Sequence, residues 1–449
     1  MNNDNTALIF PKGFLWGTAS SAYQFEGDSV NTQWDEFEKA GGIWARERSG
    51  KACDWWKNAE KDFDTAQSMG LNSMRISVSW ARIEPLEGRF DPEAIERYQQ
   101  MLSALIERNI RPIICLHHFA NPLWFEKKGA FLSPTCVEDF TRFVKFTVTE
   151  LFDLCDTWIT INEPNVYAAE GYIDGNHPPA INNNLPKYFR VLGNMARCHA
   201  AAYHFIHKIQ KDALVSFANH FILFTRARDQ VFDSFAARIA SDAFNNVFFN
   251  MLEGEKLPPF CGLQECREPL KGTFDFIGIN IYGGADVAFD IFKPHIGFVR
   301  RIKPKNGRTG DLDPAGEAMF GEIYPQGIRT VVEKLARYNK PFFILENGVP
   351  DSEDRLRPWV IACAARTIHD LLEERYKIMG YHHWSLVDNF EWALGYSMKF
   401  GLVEMDPATQ ERTPRPSAAF FSEIVKSNTL TEDMVWKYAP EVLREIFPL

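Results

Sequence analysis

The sequence predicts an α/β fold: a single (β/α)8 TIM barrel over residues 1–449, with long βα loops. Three observations lead there. Eight strand-like runs recur along the chain with helix-like stretches between them, the order of βα units in a parallel sheet. Most of these runs are near-continuously apolar, as strands covered on both faces must be. No Pro/Ser/Gly linker, low-complexity tract or repeat divides the 449 residues. A minimal barrel takes about 250 residues, so the rest is expected as extra loops.

In chain order the strands are "GFLWGTA" (13–19), "SMRISVSW" (73–80), "RPIICLHHF" (111–119) and "TWITINE" (157–163). Then follow "LVSFANHF" (214–221), "FDFIGINIY" (274–282), "PFFILENG" (341–348) and "GYHHWSLVD" (380–388). "NAEKDFDTAQSMG" (58–70) reads as a helix ending in Gly70, a C′ glycine. "DPEAIERYQQMLSALIERN" (91–109) places Ile95, Tyr98, Leu102 and Leu105 on one helical face. "VEDFTRFVKFTVTELF" (137–152) repeats that pattern. The segments 171–190 and 283–326 are expected as loops that shape the outer site.

Composition narrows the function classes. Hydrophobic residues make up 45% and charged residues 24%, which suits a large globular core. The net charge of -10 disfavours nucleic acid and anionic membrane as partners. The N-terminal "MNNDNTALIF" has no basic n-region or apolar h-region, so no signal peptide is expected. No apolar run approaches the ~18 residues of a membrane span. The eight cysteines, including the close pair Cys261 and Cys266, show no CxxC and are expected as reduced thiols of a cytoplasmic protein. Most of the 12 Trp are expected in the core, with a few left to stack on flat apolar faces. Oligomeric state has no signal in the chain.

In a barrel of this kind the site lies at the C-terminal ends of the strands. Strand one leads to Gln24, strand three ends in His117-His118-Phe119, and strand four ends in Asn162-Glu163-Pro164. Strand six carries Asn280 and Tyr282, strand seven Glu346, and strand eight Trp384 followed by Glu391 and Trp392. Arg75 sits inside apolar strand two. Each has a plain reading alone. Glu163 would be a solvated helix-start carboxylate, Glu346 a turn residue, His118 a structural histidine, Arg75 a buried ion pair and Glu391 a surface charge. Their coincidence at strand ends is harder to dismiss, because an unpaired buried carboxylate costs several kcal/mol.

Amides, carboxylates and tryptophans on one face suit a sugar, whose hydroxyls take bidentate partners and whose ring face takes an indole. Two carboxyls flanking a bond are the equipment of glycoside hydrolysis. Arg75 and the Tyr282 hydroxyl are candidates to stabilise a charged Glu346. No metal or cofactor is expected; His117 and His118 are adjacent and point to opposite strand faces.

At these residues the chain resembles glycoside hydrolase family 1, from about Phe10 to Pro416. "FLWGTASSAYQFEG" (14–27) and "MRISVSWARIEP" (74–85) are similar to the family's first two motifs. "TINEP" (160–164) resembles its acid/base motif, "ILENG" (344–348) its nucleophile motif, and "HWSLVDNFEWALGYSMKFGL" (383–402) its strand-eight segment. The resemblance implies a retaining exo-β-glycosidase acting on a small-molecule β-glucoside, and also on β-galactosides or β-fucosides. Glu163 would be the acid/base and Glu346 the nucleophile, supported by Arg75 and Tyr282. Gln24, His118, Phe119, Asn162, Asn280, Tyr282, Trp384, Glu391, Trp392 and Phe400 would contact the substrate.

Departures from the family pattern are Leu345 before the nucleophile, Phe119 in place of Trp, Phe320-Gly321 ahead of Glu322, Pro350, and Lys399 where Arg is common. The alternatives are a glycan-binding barrel without catalysis, a transglycosidase and a 6-phospho-β-glycosidase. The last is disfavoured by the intact Glu391-Trp392 and by "MKFGL", which lacks a phosphate-gripping tyrosine.

Overall fold

The computed structural model describes residues 7–255, 258, 260–263, 269–293, 299–303 and 307–448. The eight expected strands form: β1 (Leu15–Ala19), β2 (Ser73–Ser77), β3 (Arg111–Cys115), β4 (Thr157–Asn162), β5 (Leu214–Arg226), β6 (Ile277–Phe289), β7 (Phe342–Asn347) and β8 (Ile378–His383). Each pairs in parallel with the next, β8 returns to β1, and the ring is closed. Alternate inward side chains fill its interior, among them Ile113, Cys115, Ile159, Phe343 and Leu345. Leu345 takes the space beside Gly278, where an added Cβ would lie 2.7 Å from its Cδ1. The larger core lies outside the ring, between strands and helices.

The outer layer follows from local chemistry. Helix α1 (Trp55–Ser68) is followed by Gly70 at φ +84°, a conformation that glycine adopts without a Cβ clash. Helix α2 (Pro92–Glu107) starts where Asp91 accepts from the Glu93 and Ala94 amides, with Pro92 in the first turn. It buries Ile95, Tyr98, Leu102 and Leu105, the face that the periodicity indicates. Helices α3 (Cys136–Leu151) and α4 (Leu185–Ile209) pack together behind β4. The remaining helix that positions the site is α5 (Val231–Ser241), between β5 and β6.

Two expectations for the loops are corrected. Strand β5 continues five residues past Phe221 to Arg226, and β6 runs to Phe289 inside the segment expected as a loop. Beyond the ring β6 gains antiparallel partners, Val299–Ile302 and Glu322–Ile323. Gly283 permits the second approach, since a Cβ there would lie 2.3 Å from the Glu322 carbonyl. In 171–190, α4 starts at Leu185, with Pro186 in its first turn. The seven described cysteines are buried and unpaired; Cys266, and with it the Cys261/Cys266 pair, lies outside the described residues.

Candidate active site

The motif that ends β4 turns sharply. Asn162 closes the strand, and Glu163 takes φ +45°, rare for a residue with a Cβ. Pro164 then begins the short helix Pro164–Ala169. The pairing of β4 with β5 slips between Ile159 and Asn162, and that of β7 with β6 slips between Ile344 and Glu346. Such irregularities re-aim side chains. Here both carry a carboxyl to the C-terminal mouth of the barrel.

The two carboxyls are held by different partners. Glu346 accepts from the Arg75 guanidinium and from the Tyr282 hydroxyl at 2.6 Å. Burial pushes its pKa up; Arg75 pulls it down, Glu163 pushes it up and the Tyr282 hydrogen bond pulls it down, with burial prevailing. Glu163 accepts from the Asn280 amide at 2.8 Å and pairs with His220 Nδ1 at 3.0 Å. Asn280 is also the strand-register partner of Glu346, so one residue of β6 links both sides.

Asn162 joins the network to β3. Its Oδ1 accepts from Arg75 (3.0 Å) and Asn280 (3.1 Å), which fixes its Nδ2 as the donor to His118 Nε2 at 3.0 Å. His118 is then neutral, with Nδ1 carrying the proton and facing Ser77 Oγ at 3.3 Å. Burial and the charge of Arg75 hold its pKa well below the ordinary value. On the opposite side Gln24 Nε2 donates to Asn389 (2.9 Å) and Glu391 (3.1 Å). Burial, with Glu346 and Glu163 nearby, raises the Glu391 pKa to about 8. Trp392 stacks on Tyr23 with the planes 10° apart, and Phe119 packs on it at 5.1 Å.

These groups form the floor of a cavity of about 890 Å³. Ligand cavities typically span roughly 300–1,000 Å³, so this one has room beyond a single sugar. His118, Phe119, Tyr282, Trp384, Glu391 and Trp392 line it, with both Glu163 and Glu346. Gln24, Asn162 and Asn280, expected to touch substrate, are fully buried in this structure, because their amides are engaged in holding the residues in front of them. Phe400 is buried and packs against Tyr282 and Phe320, with ring centroids 5.7 and 5.0 Å away. Sequence reading missed His220. It stacks on Tyr282 at 5.7 Å, and its signal was "ANHF" at the end of a strand that pairs beside Glu163. The outer wall is mostly apolar, with Ile173, Leu185, Ile222, Ile239 and Phe244. Its polar members include Asp174, Arg300, Arg301 and Glu170, which accepts from Asn176 at 2.9 Å.

Fold and site define an α/β-barrel enzyme with paired carboxyls at the strand ends. The chain belongs to glycosyl hydrolase family 1, whose model matches residues 6–430, and it is an O-glycoside hydrolase of the β-glycosidase type. β-Glucosidase A of Thermotoga maritima is 30% identical over 94% of this chain and 99% of its own. A β-galactosidase of Pyrococcus woesei is 28% identical over 97% and 100%. Among solved structures, a β-glycosidase from Pyrococcus horikoshii superposes with a TM-score of 0.87 at 31% identity, covering 96% of this chain and 98% of that one. The T. maritima β-glucosidase in complex with deoxynojirimycin gives 0.86 at 28%, covering 94% and 99%.

Proposed function

We propose that the chain is a retaining exo-β-glycosidase, one catalytic barrel acting on β-glucosides and also on β-galactosides or β-fucosides. The carrying observation is the asymmetric pair: Glu346 on a cation and a hydroxyl, Glu163 on an amide and an imidazole. Asn280 spans the two, which suits the short carboxyl separation of about 5–5.5 Å that retention uses.

Glu346 attacks the anomeric carbon while Glu163 gives its proton to the leaving glycosidic oxygen. The C–O bond breaks and a glycosyl ester forms on Glu346. Glu163, now a carboxylate, takes a proton from water, which displaces Glu346 with a second inversion. Arg75 and Tyr282 favour the ionised form of Glu346 and aim it, and a proton on Glu163 removes the neighbouring charge that opposes that form. Glu391, Trp384 and Trp392 line the cavity beside the two carboxyls, which suits a sugar held by its hydroxyls and its apolar face. Glu391 also offers a 6-phosphate no cation. Two intact carboxyls argue against a binding-only barrel; hydrolysis and transglycosylation share these residues and differ only in the acceptor. The seven buried thiols favour a reducing, cytoplasmic compartment.

The test is Glu346→Gly with a nitrophenyl β-glucoside. Hydrolysis should fall by about 10⁴-fold or more, and azide should restore turnover to an α-glycosyl azide. Undiminished hydrolysis by the variant would end the assignment. Added alcohols would report glycosyl transfer as alkyl glycoside product.

A further inference from the structure

The apolar wall of the cavity does not stop at its mouth. Strands β5 and β6 run past the barrel rim, and α5 lies against both. The inner side of α5 gives Ile239 and Ala240 to the cavity wall and buries Ala236. The N-terminal part of the same apolar stripe carries Val231, Phe232 and Phe235, which are 84%, 64% and 46% exposed. The barrel covers the stripe at its C-terminal end and leaves it bare at its start.

The end of β6 adds Ile291 and Phe292, 66% and 87% exposed. The two groups adjoin. The Phe289 amide donates to Asp233 at 2.9 Å, and the Phe232 and Phe289 rings are 5.4 Å apart. Of the fifteen large apolar side chains exposed among the described residues, five therefore stand on one rim. Scattered exposed apolar side chains need no explanation, but a cluster of them does.

The charge of the rim differs from that of the chain. The described residues 224–241, 284–293 and 299–303 contain seven Lys or Arg and four Asp, an excess of cations that remains after Arg226, Arg228 and Arg300 pair with Asp229, Asp233 and Asp290, in a protein of net charge -10. Arg226, Arg228, Arg238, Arg300 and Arg301 are all exposed there. Basic residues around exposed Phe and Ile are the composition of an interfacial lipid-binding surface.

We propose that this rim docks on an anionic lipid bilayer, and that the cavity takes a β-glycosylated lipid whose sugar reaches the floor while its hydrocarbon lies along the apolar wall. The substrate half rests on the glycosidase reading; the docking half does not.

The test is vesicle flotation of the full chain with phosphatidylcholine, with and without phosphatidylglycerol. The protein should float with the anionic vesicles, less so as salt rises. Phe232→Ser/Phe292→Ser should weaken partitioning on the order of a hundredfold, and Val231→Ser/Ile291→Ser should weaken it too. Both should leave nitrophenyl β-glucoside turnover unchanged while slowing hydrolysis of a β-glucosyl lipid presented in those vesicles. Flotation with neither vesicle, or equally with both, overturns the docking surface. So does a dimer in solution that the same substitutions dissolve, because a second copy would then be the occupant. Flotation by a protein that turns over no soluble β-glycoside would remove the glycosidase reading and leave the docking intact.

Discussion

At the floor of the cavity Arg75, Asn162, His118, Asn280, Tyr282 and the two carboxyls form one connected set of hydrogen bonds contributed by five different strands or their ends. Further out, Ile173, Leu185, Ile222 and Phe244 offer only apolar surface, carried on strand extensions and helical turns beyond the ring. The floor is a fixed polar shape, in which removing one partner orphans another in a dry site. The wall supplies area, which scales with methylenes and tolerates change of shape. The contrast assigns chemistry to the floor and breadth of aglycone to the wall.

The sharpest way to break that contrast is Tyr282→Phe. The substitution keeps the ring that packs on His220 and removes the hydroxyl on Glu346. We expect kcat for a nitrophenyl β-glucoside to fall by about 10²-fold with KM little changed, the scale of losing one preorganised donor. A change under about threefold would mean that this donor acts only as area does, and the floor would lose its special status.

Ile222→Ala probes the wall. It shortens an apolar side chain on the β5 extension that makes no polar side-chain contact. For an octyl β-glucoside kcat/KM should fall about tenfold, the value of two or so buried methylenes. For methyl β-glucoside it should stay within about twofold. Equal losses on both substrates would place Ile222 with the floor.

The same division explains what could be read from the sequence. The floor was legible because its residues sit at the ends of strands whose apolar runs are unmistakable, and the motifs TINEP and ILENG are contiguous. Gln24, Asn162 and Asn280 were found at strand ends, but a sequence does not show that their amides are also engaged by neighbours from other strands. The packing of the Phe400 ring against Tyr282 was out of sight for the same reason. His220 was missed because its partner, Glu163, is 57 residues away. The wall was illegible. Beyond Phe221 and Tyr282 the two strands continue by pairing in parallel with each other, and β6 adds late antiparallel partners that Gly283 admits; no period marks that.

Glu391 sits at the boundary between the two regions, and it should give the smallest effect. It lines the cavity with the floor's aromatics, yet its side chain has one hydrogen-bond partner, Gln24. Burial and the two neighbouring carboxylates raise its pKa to about 8. The folded protein therefore binds this proton more tightly than the unfolded chain, whose carboxyl titrates near about 4.3. The stabilisation is complete below that range and disappears as pH rises through about 8. Glu391→Gln keeps an acceptor for Gln24 and cannot ionise. Its thermal midpoint should match that of the wild type at pH 4 and exceed it by a few degrees at pH 8, on the order expected for a kcal/mol or two. A constant difference across that range would mean that Glu391 ionises as freely as a solvated side chain. It would then belong to the open side of the cavity, and the polar floor would end at Gln24.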